Sequence, residues 1–353
     1  MSYQRALDAV NLRLDGIAQC ENLDHPLYVQ ELAGIDPWER PYEAYLAAFR
    51  ALDLDWVHGI PRQALPRNTF ERDSSVELAD GMRMTAWGIT GSRWREEFQF
   101  QTVEDVLAYD PLANVPPVDH IAVKGVPGWH HAMVDEQRAV GDSFLLSGPY
   151  YTTLFQCGIM VFGWPLFLTA AGAEPERFQR ILEGFATLTA RNIAELAAER
   201  LPFLFIHDDI AMQHGMVFHP NWYRKRIFPL YERILEPVLA NGVTRICFVS
   251  DGDYTAVVPD LFALGFHGLM ISPNMDLGAI ARRYARDRFL VGNVDTAVLT
   301  FGDADDVRRE VARCIAEGRA AGGHIIKAIG DMPDNIPIAN LRAYFRAVAR
   351  YRR

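Results

Sequence analysis

Three ionisable residues follow an apolar segment in the middle of the chain. Residues 202–206 are apolar and run directly into His207, Asp208 and Asp209. Such a run is typical of a buried parallel strand whose carboxyl end opens into a polar pocket. Histidine and aspartate serve there as general acids and bases or as metal ligands. The sequence therefore predicts chemistry at this strand end.

The two adjacent aspartates are expected to have different roles. Neighbouring residues on an extended segment point to opposite sides, so Asp208 and Asp209 cannot both face one pocket. We expect Asp208 to face the pocket and Asp209 to cap the following turn or to support the site. His207 is a third catalytic candidate, and the alternative for it is a buried histidine bonded to backbone.

A pair of aspartates follows a second apolar segment, 244–249. Asp251 and Asp253 are two residues apart, so on an extended segment both point to the same side. A close pair would raise the pKa of one carboxyl, leaving one acid and one base, or would hold a divalent cation. Asp-Gly-Asp is also common in turns, and a solvated turn is the structural alternative.

Four other polar residues are candidates for substrate binding. A third apolar segment, 289–292, ends at Asn293 and Asp295, which are expected to orient the acidic cluster. His219 lies in a loop predicted to cover the site. Lys327 lies within a predicted strand, where a charged side chain must face the rim or pair with an acid.

The elements that position these residues alternate between strand and helix from Ser143 onward. Predicted strands lie at 144–146, 202–207, 244–249, 268–271, 289–291 and 324–328. Predicted helices lie at 175–199, 221–239, 254–264, 304–320 and from 339 onward. Alternation of this kind favours parallel strands joined by right-handed crossovers, and the length favours a closed (β/α)8 TIM barrel over an open sheet. Such a barrel gathers its strand ends on one face.

The front of the chain has a different pattern. Helices are predicted at 3–14 and 42–52, and the first barrel strand at 56–60. Alternating residues between Phe70 and Phe100 predict an inserted β-hairpin, with Trp87 and Trp94 either over the pocket or outside the barrel. We expect a single barrel domain over residues 1–353, with the N-terminal helical extension and the hairpin flap within residues 1–110.

Composition limits the functional classes. The chain has 353 residues, is 50% hydrophobic and 23% charged, and carries a formal net charge of −10. This favours a globular protein with a small-molecule substrate and disfavours nucleic acid as a partner, because phosphate binding needs a basic face. No apolar run reaches the roughly 18 residues that a membrane span needs.

Cysteine usage and the amino terminus indicate a cytoplasmic protein. The four cysteines, at positions 20, 157, 247 and 314, have no CxxC spacing that would indicate a zinc site, and their scatter is typical of a reducing compartment. Charged residues, among them Arg5 and Asp8, occupy the place of an apolar signal core.

Several motifs together resemble the uroporphyrinogen decarboxylase superfamily over roughly residues 163–351. They are His207-Asp208-Asp209, Gly215, Pro220, Tyr223, Arg224, Pro229, Ser250-Asp251-Gly252-Asp253, Gly292-Asn293-Val294-Asp295 and Gly322-Gly323-His324. That superfamily also holds zinc-dependent methyltransferases that serve corrinoid proteins and coenzyme M. The resemblance implies the barrel fold and a site on its rim, and homodimers are common in such barrels.

The chain departs from the decarboxylases at its front. Those enzymes grip the propionates of a tetrapyrrole with an arginine-rich motif, whereas residues 19–41 here are acidic and contain one arginine, Arg40. A substrate with many carboxylates needs cationic partners. The family's catalytic aspartate after the first strand is also not evident in residues 56–61.

The chain departs from the zinc methyltransferases as well. These enzymes place a His and a Cys after the strand that corresponds to 244–249, and a second Cys after the strand that corresponds to 324–328. In this chain Asp251 and Asp253 follow the first of these strands, and Asp331 follows the second. Losing the thiolates argues against a thiol acceptor. A site of His and carboxylates suits a divalent metal, such as zinc with oxygen and nitrogen ligands, or acid–base chemistry without a metal.

These observations leave three functional hypotheses. The first is methyl transfer from a small methylated substrate to a corrinoid or folate carrier, the corrinoid being held by a partner protein, with His207, Asp208, Asp251 and Asp253 as the catalytic cluster. The second is a lyase that decarboxylates a small acid, with Lys327 or Arg62 binding the carboxylate, or less favourably a porphyrinogen. The third is a barrel without catalytic activity that binds a partner protein.

Overall fold

The chain folds into two compact units. The computed structural model describes residues 2–62, 75–77, 82–85, 92–95, 98–114, 130–147, 150, 153–199, 201–242 and 245–352. The first unit comprises Met1–Glu96, Val140–Gly148 and Asp276–Arg353, and the second comprises Glu97–Ala139 and Pro149–Met275. The expectation of a single barrel domain stays a prediction. Within the described ranges, no helix is both long and apolar enough to cross a bilayer.

Five parallel strands form the sheet of the first unit. They are β1 (Ala18–Glu21), β2 (Trp56–Val57), β6 (Leu145–Leu146), β12 (Phe289–Val291) and β13 (Gly323–Ile326). Their order is β6-β2-β1-β13-β12, with Ala18 opposite Ile325 and Cys20 opposite Trp56. Since the strands are parallel, their carboxyl ends share one edge of this sheet.

A separate antiparallel sheet lies between β2 and β6 in the chain. Its strands are β3 (Ser75–Glu77), β4 (Met82–Thr85) and β5 (Ser92–Arg95), paired in that order. The inserted β-hairpin predicted from the sequence is confirmed and has a third strand. Trp87 and the side chain of Trp94, which we expected near the pocket or outside the barrel, lie outside what the structure describes.

The helices of the first unit begin and end with recognisable signals. They are α1 (Ser2–Val10), α2 (Pro26–Ala33), α3 (Pro41–Ala51), α12 (Leu277–Tyr284), α13 (Thr296–Phe301), α14 (Ala304–Gly318) and α15 (Ile338–Tyr351). Proline occupies the first position of α2 and α3, where its missing N–H costs no hydrogen bond. Asp303 and Asp306 form a capping box that starts α14.

A buried carboxylate ties both ends of the chain to the first unit. Asp55, immediately before β2, is fully buried and accepts hydrogen bonds from Arg5 at 2.7 Å and from Arg352 at 2.8 Å. The amide of Gln19 also donates to Asp55 at 2.8 Å. With these donors a buried charge becomes tolerable, and the terminal helices are held against the sheet.

Three parallel strands form the sheet of the second unit. They are β7 (Leu204–His207), β10 (Ile246–Val249) and β11 (Gly268–Met270), with β10 in the middle. Tyr150 forms an isolated parallel bridge with Ile206 on the free side of β7. A short hairpin, β8 (Ala211–Met212) and β9 (Gly215–Met216), follows β7.

Eight α-helices lie in the described part of the second unit. They are α4 (Val103–Ala108), α5 (His131–Val140), α6 (Phe155–Phe162), α7 (Trp164–Ala173), α8 (Pro175–Ala198), α9 (Pro220–Arg226), α10 (Phe228–Ala240) and α11 (Val258–Ala263), with the last residue of α5 assigned to the first unit. The single helix expected over 221–239 is divided into α9 and α10. Pro229 causes the division, because its ring and missing N–H prevent a helix from continuing through it.

The start of the parallel sheet differs from the sequence-based expectation. We expected residues 56–60 to be the first strand, but β1 at Ala18–Glu21 precedes it. The sequence of β1 is AQCE, which lacks the apolar run typical of a buried parallel strand. With β1, the two units contain five and three parallel strands in an α/β arrangement.

Candidate functional site

The carboxyl end of β7 places a histidine beside an aspartate. His207 is the last residue of the strand and is 5% exposed. Its Nε2 lies 2.9 Å from Oδ1 of Asp209, within ion-pair and hydrogen-bond distance. We call these two residues the His207–Asp209 pair. A carboxylate in this position fixes the orientation and the tautomer of the imidazole, as it does in acid–base catalysts.

Asp209 is the accessible carboxylate of the two aspartates. Its side chain is 24% exposed, and Oδ1 also accepts a hydrogen bond from the amide of Asp251 at 2.9 Å. Burial by itself would raise the pKa of Asp209, but the hydrogen bond and the charge of His207, with the Asp251 amide, bring that pKa below its ordinary value. Asp209 is therefore ionised at neutral pH and keeps an exposed edge.

Asp208 is placed differently from the sequence-based expectation. It is fully buried, and its oxygens accept hydrogen bonds from the amides of Leu154 at 3.2 Å, Phe155 at 3.0 Å and Gln156 at 2.8 Å. The hydroxyl of Tyr231 donates to it at 2.6 Å. Asp208 thus satisfies the first N–H groups of α6, which have no partner within the helix.

The electrostatics of Asp208 agree with a structural role. Complete burial raises the pKa of its carboxyl, and the amide of Gln156 and the hydroxyl of Tyr231 oppose this increase. Four donors leave little capacity for a substrate. Asp208 therefore does not face an open pocket as expected, because the free N–H groups of α6 recruit it, and Asp209 is the exposed one of the two. The expected catalytic role of Asp208 stays a prediction.

Asp251 and Asp253 lie on a turn. Gly252 between them has φ +80°, and a Cβ at that position would lie 2.4 Å from the carbonyl oxygen of Met212. The segment is not extended, so the shared side predicted from residue parity does not apply. Oδ1 of Asp253 accepts a hydrogen bond from the amide of Thr255 at 2.9 Å, whereas Asp251 is exposed. The backbone here bends, as the structural alternative expected, and a catalytic role for Asp251 and Asp253 stays a prediction.

His219 begins a helix. It is exposed, and its Nδ1 accepts a hydrogen bond from the amide of Asn221 at 3.2 Å, which caps α9. Its predicted contact with substrate stays a prediction.

Asn293 and Asp295 lie in the first unit, whereas the His207–Asp209 pair lies in the second. Asn293 is fully buried and its Oδ1 accepts from Arg313 at 3.1 Å. Asp295 caps α13 through the amide of Ala297 at 2.8 Å. Both residues therefore have structural contacts of their own, and their expected role in orienting the catalytic cluster stays a prediction.

Comparison with known proteins decides the family. The model of the family "Uroporphyrinogen decarboxylase (URO-D)" matches residues 158–351, more than half of the chain. The chain belongs to the URO-D family. The resemblance inferred from the motifs after β7, β10 and β12 is thereby confirmed.

Two curated relatives are named uroporphyrinogen decarboxylase. One, from Salinispora tropica, is 29% identical over 154 residues, which is 41% of this chain and 40% of that protein. The other, from Rhodococcus erythropolis, is 34% identical over 124 residues, which is 33% of this chain and 34% of that protein. This URO-D family member thus matches well under half the length of these relatives.

A solved structure shows the fold over nearly the whole chain. A methyltransferase from Methanosarcina mazei is similar with a TM-score of 0.65 and 15% identity, covering 99% of this chain and 98% of that one. The parallel strands and helices of this URO-D family member are those of an α/β fold of the TIM-barrel type, as the sequence predicts.

Sequence reasoning missed one ionisable residue of this URO-D family member. Glu21 ends β1, is fully buried, and accepts hydrogen bonds from Gln19 at 3.0 Å, from the amide of Ala328 at 3.3 Å, and from the hydroxyl of Tyr344. Burial raises the pKa of Glu21 to about 7, although the charge of Lys327 and these hydrogen bonds oppose the increase. The sequence signal that could have identified Glu21 is its spacing from Gln19. Two residues that are two positions apart on a strand lie on the same side of it.

Lys327 is a buried lysine whose hydrogen bonds go to backbone carbonyl oxygens. It is 1% exposed, follows β13, and its Nζ donates to the carbonyl oxygens of Ala328 and Gly330, both at 3.2 Å. Its charge acts on Glu21. We call these two residues the Glu21–Lys327 pair. Both side chains are buried and hydrogen-bonded within the protein, and the expected contact of Lys327 with substrate stays a prediction.

The thiols of the URO-D family member do not form a thiolate zinc site. All four cysteines are buried, and none of them forms a disulfide. Burial raises the pKa of Cys314 to about 12 and also raises that of Cys20, so neither is a thiolate at neutral pH. In the part of the chain that the structure describes, the one group of three potential metal ligands is His130, His131 and Glu199, away from the strand ends.

Proposed function

We propose that this URO-D family member transfers a methyl group from a small methylated substrate to a corrinoid or folate carrier, with the His207–Asp209 pair handling the proton. The observation that carries the proposal is the 2.9 Å contact between His207 Nε2 and Asp209 Oδ1 at the end of β7. A buried imidazole beside an ionised, partly exposed carboxylate can hold and deliver one proton.

The proposed step needs an acid and no thiolate. When a methyl group leaves an oxygen or nitrogen atom, the carbon–heteroatom bond breaks, the electron pair stays on the heteroatom, and that atom takes up a proton. Protonated His207, oriented and stabilised by Asp209, would donate this proton. The carrier, as the second substrate, accepts the methyl group. The similarity in fold to a methyltransferase is consistent with this reaction class.

The charges near β1 favour a small substrate over a porphyrinogen. Residues 19–41 contain one arginine, Arg40, which contacts Glu43 at 3.5 Å. Glu21 and Asp24 are buried acids in the same stretch. Arg342 also reaches this stretch, but its guanidinium is paired with Glu31. A substrate with many carboxylates needs cationic partners that are not already paired with acids.

A methyl-transfer assay tests the proposal. Purified protein is incubated with methylated aromatics and amines and with a reduced corrinoid or a tetrahydrofolate, and both the methylated carrier and the demethylated product are quantified. Replacing Asp209 by Asn should lower the rate by roughly 10²–10⁴-fold, the usual contribution of acid–base catalysis, because His207 loses its anionic partner. Asp135→Asn, a change at an exposed residue on α5, is the matched control.

Two results would contradict the proposal. One is a broad substrate panel without methyl transfer. The other is an active enzyme in which Asp209→Asn is as fast as Asp135→Asn.

Decarboxylation of a small acid is the second candidate, favoured by the names of the two curated relatives. It also needs a proton donor, which would neutralise the carbanion that forms as carbon dioxide leaves. Lys327 donates hydrogen bonds to the backbone carbonyls of Ala328 and Gly330, and Arg62 stacks over Tyr42 at 4.6 Å. Release of carbon dioxide without any methyl carrier would distinguish this reaction from methyl transfer.

A further inference from the structure

A cluster of histidines and glutamates lies at the end of α8 in the second unit. His130 immediately precedes α5, His131 begins it, and Glu199 follows the last residue of α8. One ligand atom from each of these three residues lies within 4.8 Å of the other two. Glu195, one turn earlier on α8, lies beside them. None of these residues belongs to the strand ends described above.

The distances match those of a zinc ion's ligands. Nε2 of His130 lies 3.2 Å and Nδ1 of His131 lies 3.3 Å from Oε1 of Glu199. Zinc binds nitrogen and oxygen ligands at about 2.0–2.2 Å with tetrahedral angles, which places neighbouring ligand atoms roughly 3.3–3.6 Å apart. The two imidazole nitrogens lie within 4.8 Å of each other, so movements of the side chains alone would let the three atoms surround one ion.

A second carboxylate supports the other side of His130. Nδ1 of His130 lies 3.3 Å from Oε2 of Glu195, while its Nε2 faces Glu199. A metal-binding histidine commonly has its second nitrogen next to a carboxylate, which fixes the ring and makes the ligating nitrogen more basic. His130 is 8% exposed, so this arrangement is built into the protein and is not a chance contact on its surface.

The charges favour a divalent cation. Glu195 and Glu199 are four residues apart, so they lie on the same face and repel each other. The C-terminal end of α8 adds partial negative charge at the same place. A dication between the two carboxylates offsets this charge, and the exposed side of His131 leaves room for a water molecule as fourth ligand.

We propose that His130, His131 and Glu199 bind a zinc ion, with Glu195 as the residue that positions His130. The ion would clamp the start of α5 to the end of α8. This site is independent of the proposed reaction at β7.

Metal binding by the full chain without a polyhistidine tag tests the site. Apo protein is titrated with Zn²⁺ against a chromophoric chelator, and with Co²⁺ to record the visible bands that report tetrahedral coordination. One equivalent of zinc should bind. Glu199→Gln and His130→Ala should weaken binding by roughly 100-fold or more, and Glu195→Gln by roughly 10–100-fold, as is usual for a carboxylate that supports a ligand.

Glu183→Gln, at an exposed residue on the same helix, is the matched control and should leave the affinity unchanged. Thermal unfolding of each variant, with and without zinc, separates loss of the ligand from loss of the fold. If a variant does not fold, X-ray absorption of the zinc-loaded wild type provides the readout, with two imidazoles expected among the ligands. No zinc binding, absorption without imidazole ligands, or equal affinity in Glu199→Gln and Glu183→Gln would overturn the proposal.

Discussion

The carboxyl ends of parallel strands carry a pair of charged residues in each unit, and the two pairs differ in their access to solvent. At the end of β7, the His207–Asp209 pair keeps an exposed carboxylate whose pKa is lowered. At the ends of β1 and β13, the Glu21–Lys327 pair is buried, and the pKa of Glu21 is raised to about 7. Two acids at the carboxyl ends of parallel strands, Asp209 and Glu21, therefore have pKa values shifted in opposite directions.

The difference shows what decides the state of a strand-end acid. Asp209 gains more from its hydrogen bonds with His207 and Asp251 than it loses by partial burial. Glu21 has an ammonium and three hydrogen-bond donors near it, yet complete removal from water outweighs them. Exposure, more than the number of partners, separates an acid that can exchange protons with a substrate from one that holds the structure together.

The largest expected effect on stability concerns Asp208, which lies next to the His207–Asp209 pair. Asp208→Ala leaves the amides of Leu154, Phe155 and Gln156 and the hydroxyl of Tyr231 without their acceptor. The free energy of unfolding should fall by about 3–5 kcal/mol, the cost of breaking a buried, charged hydrogen-bond network. Urea unfolding measures this loss. If the free energy of unfolding of the variant lies within about 1 kcal/mol of that of wild type, Asp208 does not have the structural role that distinguishes it from Asp209.

A pH series tests the Glu21–Lys327 pair. The pKa of Glu21 is about 7 in the folded protein against an ordinary value of 4.5, so between these pH values the folded protein binds the extra proton. The contribution of Glu21 to stability is therefore present below the lower value and is lost as pH rises through the higher one. Glu21→Gln removes this titration.

Wild type should lose about 3 kcal/mol of stability between acid pH and a pH above 7, and Glu21→Gln should not. The free energy of unfolding of Glu21→Gln minus that of wild type should therefore increase by this amount over the same range. The same series on Glu43→Gln, a change at an exposed residue on α3, should show no comparable rise. A difference between Glu21→Gln and wild type that does not vary with pH would mean that the pKa of Glu21 is the same in the folded and the unfolded protein.

The smallest expected effect concerns Asp253. Its Oδ1 accepts a hydrogen bond from the amide of Thr255, so Asp253→Ala should lower the free energy of unfolding by about 1 kcal/mol, the usual net contribution of one hydrogen bond. Catalytic rates should change much less than in Asp209→Asn. If the rate instead falls roughly 100-fold while stability is unchanged, Asp253 is an acid or base of the reaction, as its spacing from Asp251 predicted.

The elements that the sequence predicted well are those with strong local signals. The apolar runs before His207 and Asp251 and the proline at the start of α8 give β7, β10 and α8 close to their observed bounds. β1 was missed because Gln19 and Glu21 break its apolar pattern and are satisfied by distant parts of the chain, among them Tyr344 and Arg352. No window of local sequence contains those partners.

The residues of the candidate site were likewise predicted only in part. The sequence identified His207, Asp208 and Asp209 as candidates. It expected Asp208 to be the accessible one of the two aspartates, and the structure exposes Asp209 instead, because alternation along a strand gives the side of a residue but not what lies there. The start of α6 occupies the side of Asp208, about fifty residues away in the chain.

The sequence by itself determined the family, the class of fold and the strand end at which to look for chemistry, because apolar periodicity and the family motifs are local properties of the chain. Only the tertiary structure decided which acid is exposed, which one caps a helix and which one is buried with a lysine. The physical reason is that desolvation and hydrogen bonding depend on groups brought together by folding. They set the pKa values of Asp209 and Glu21 in opposite directions from similar positions.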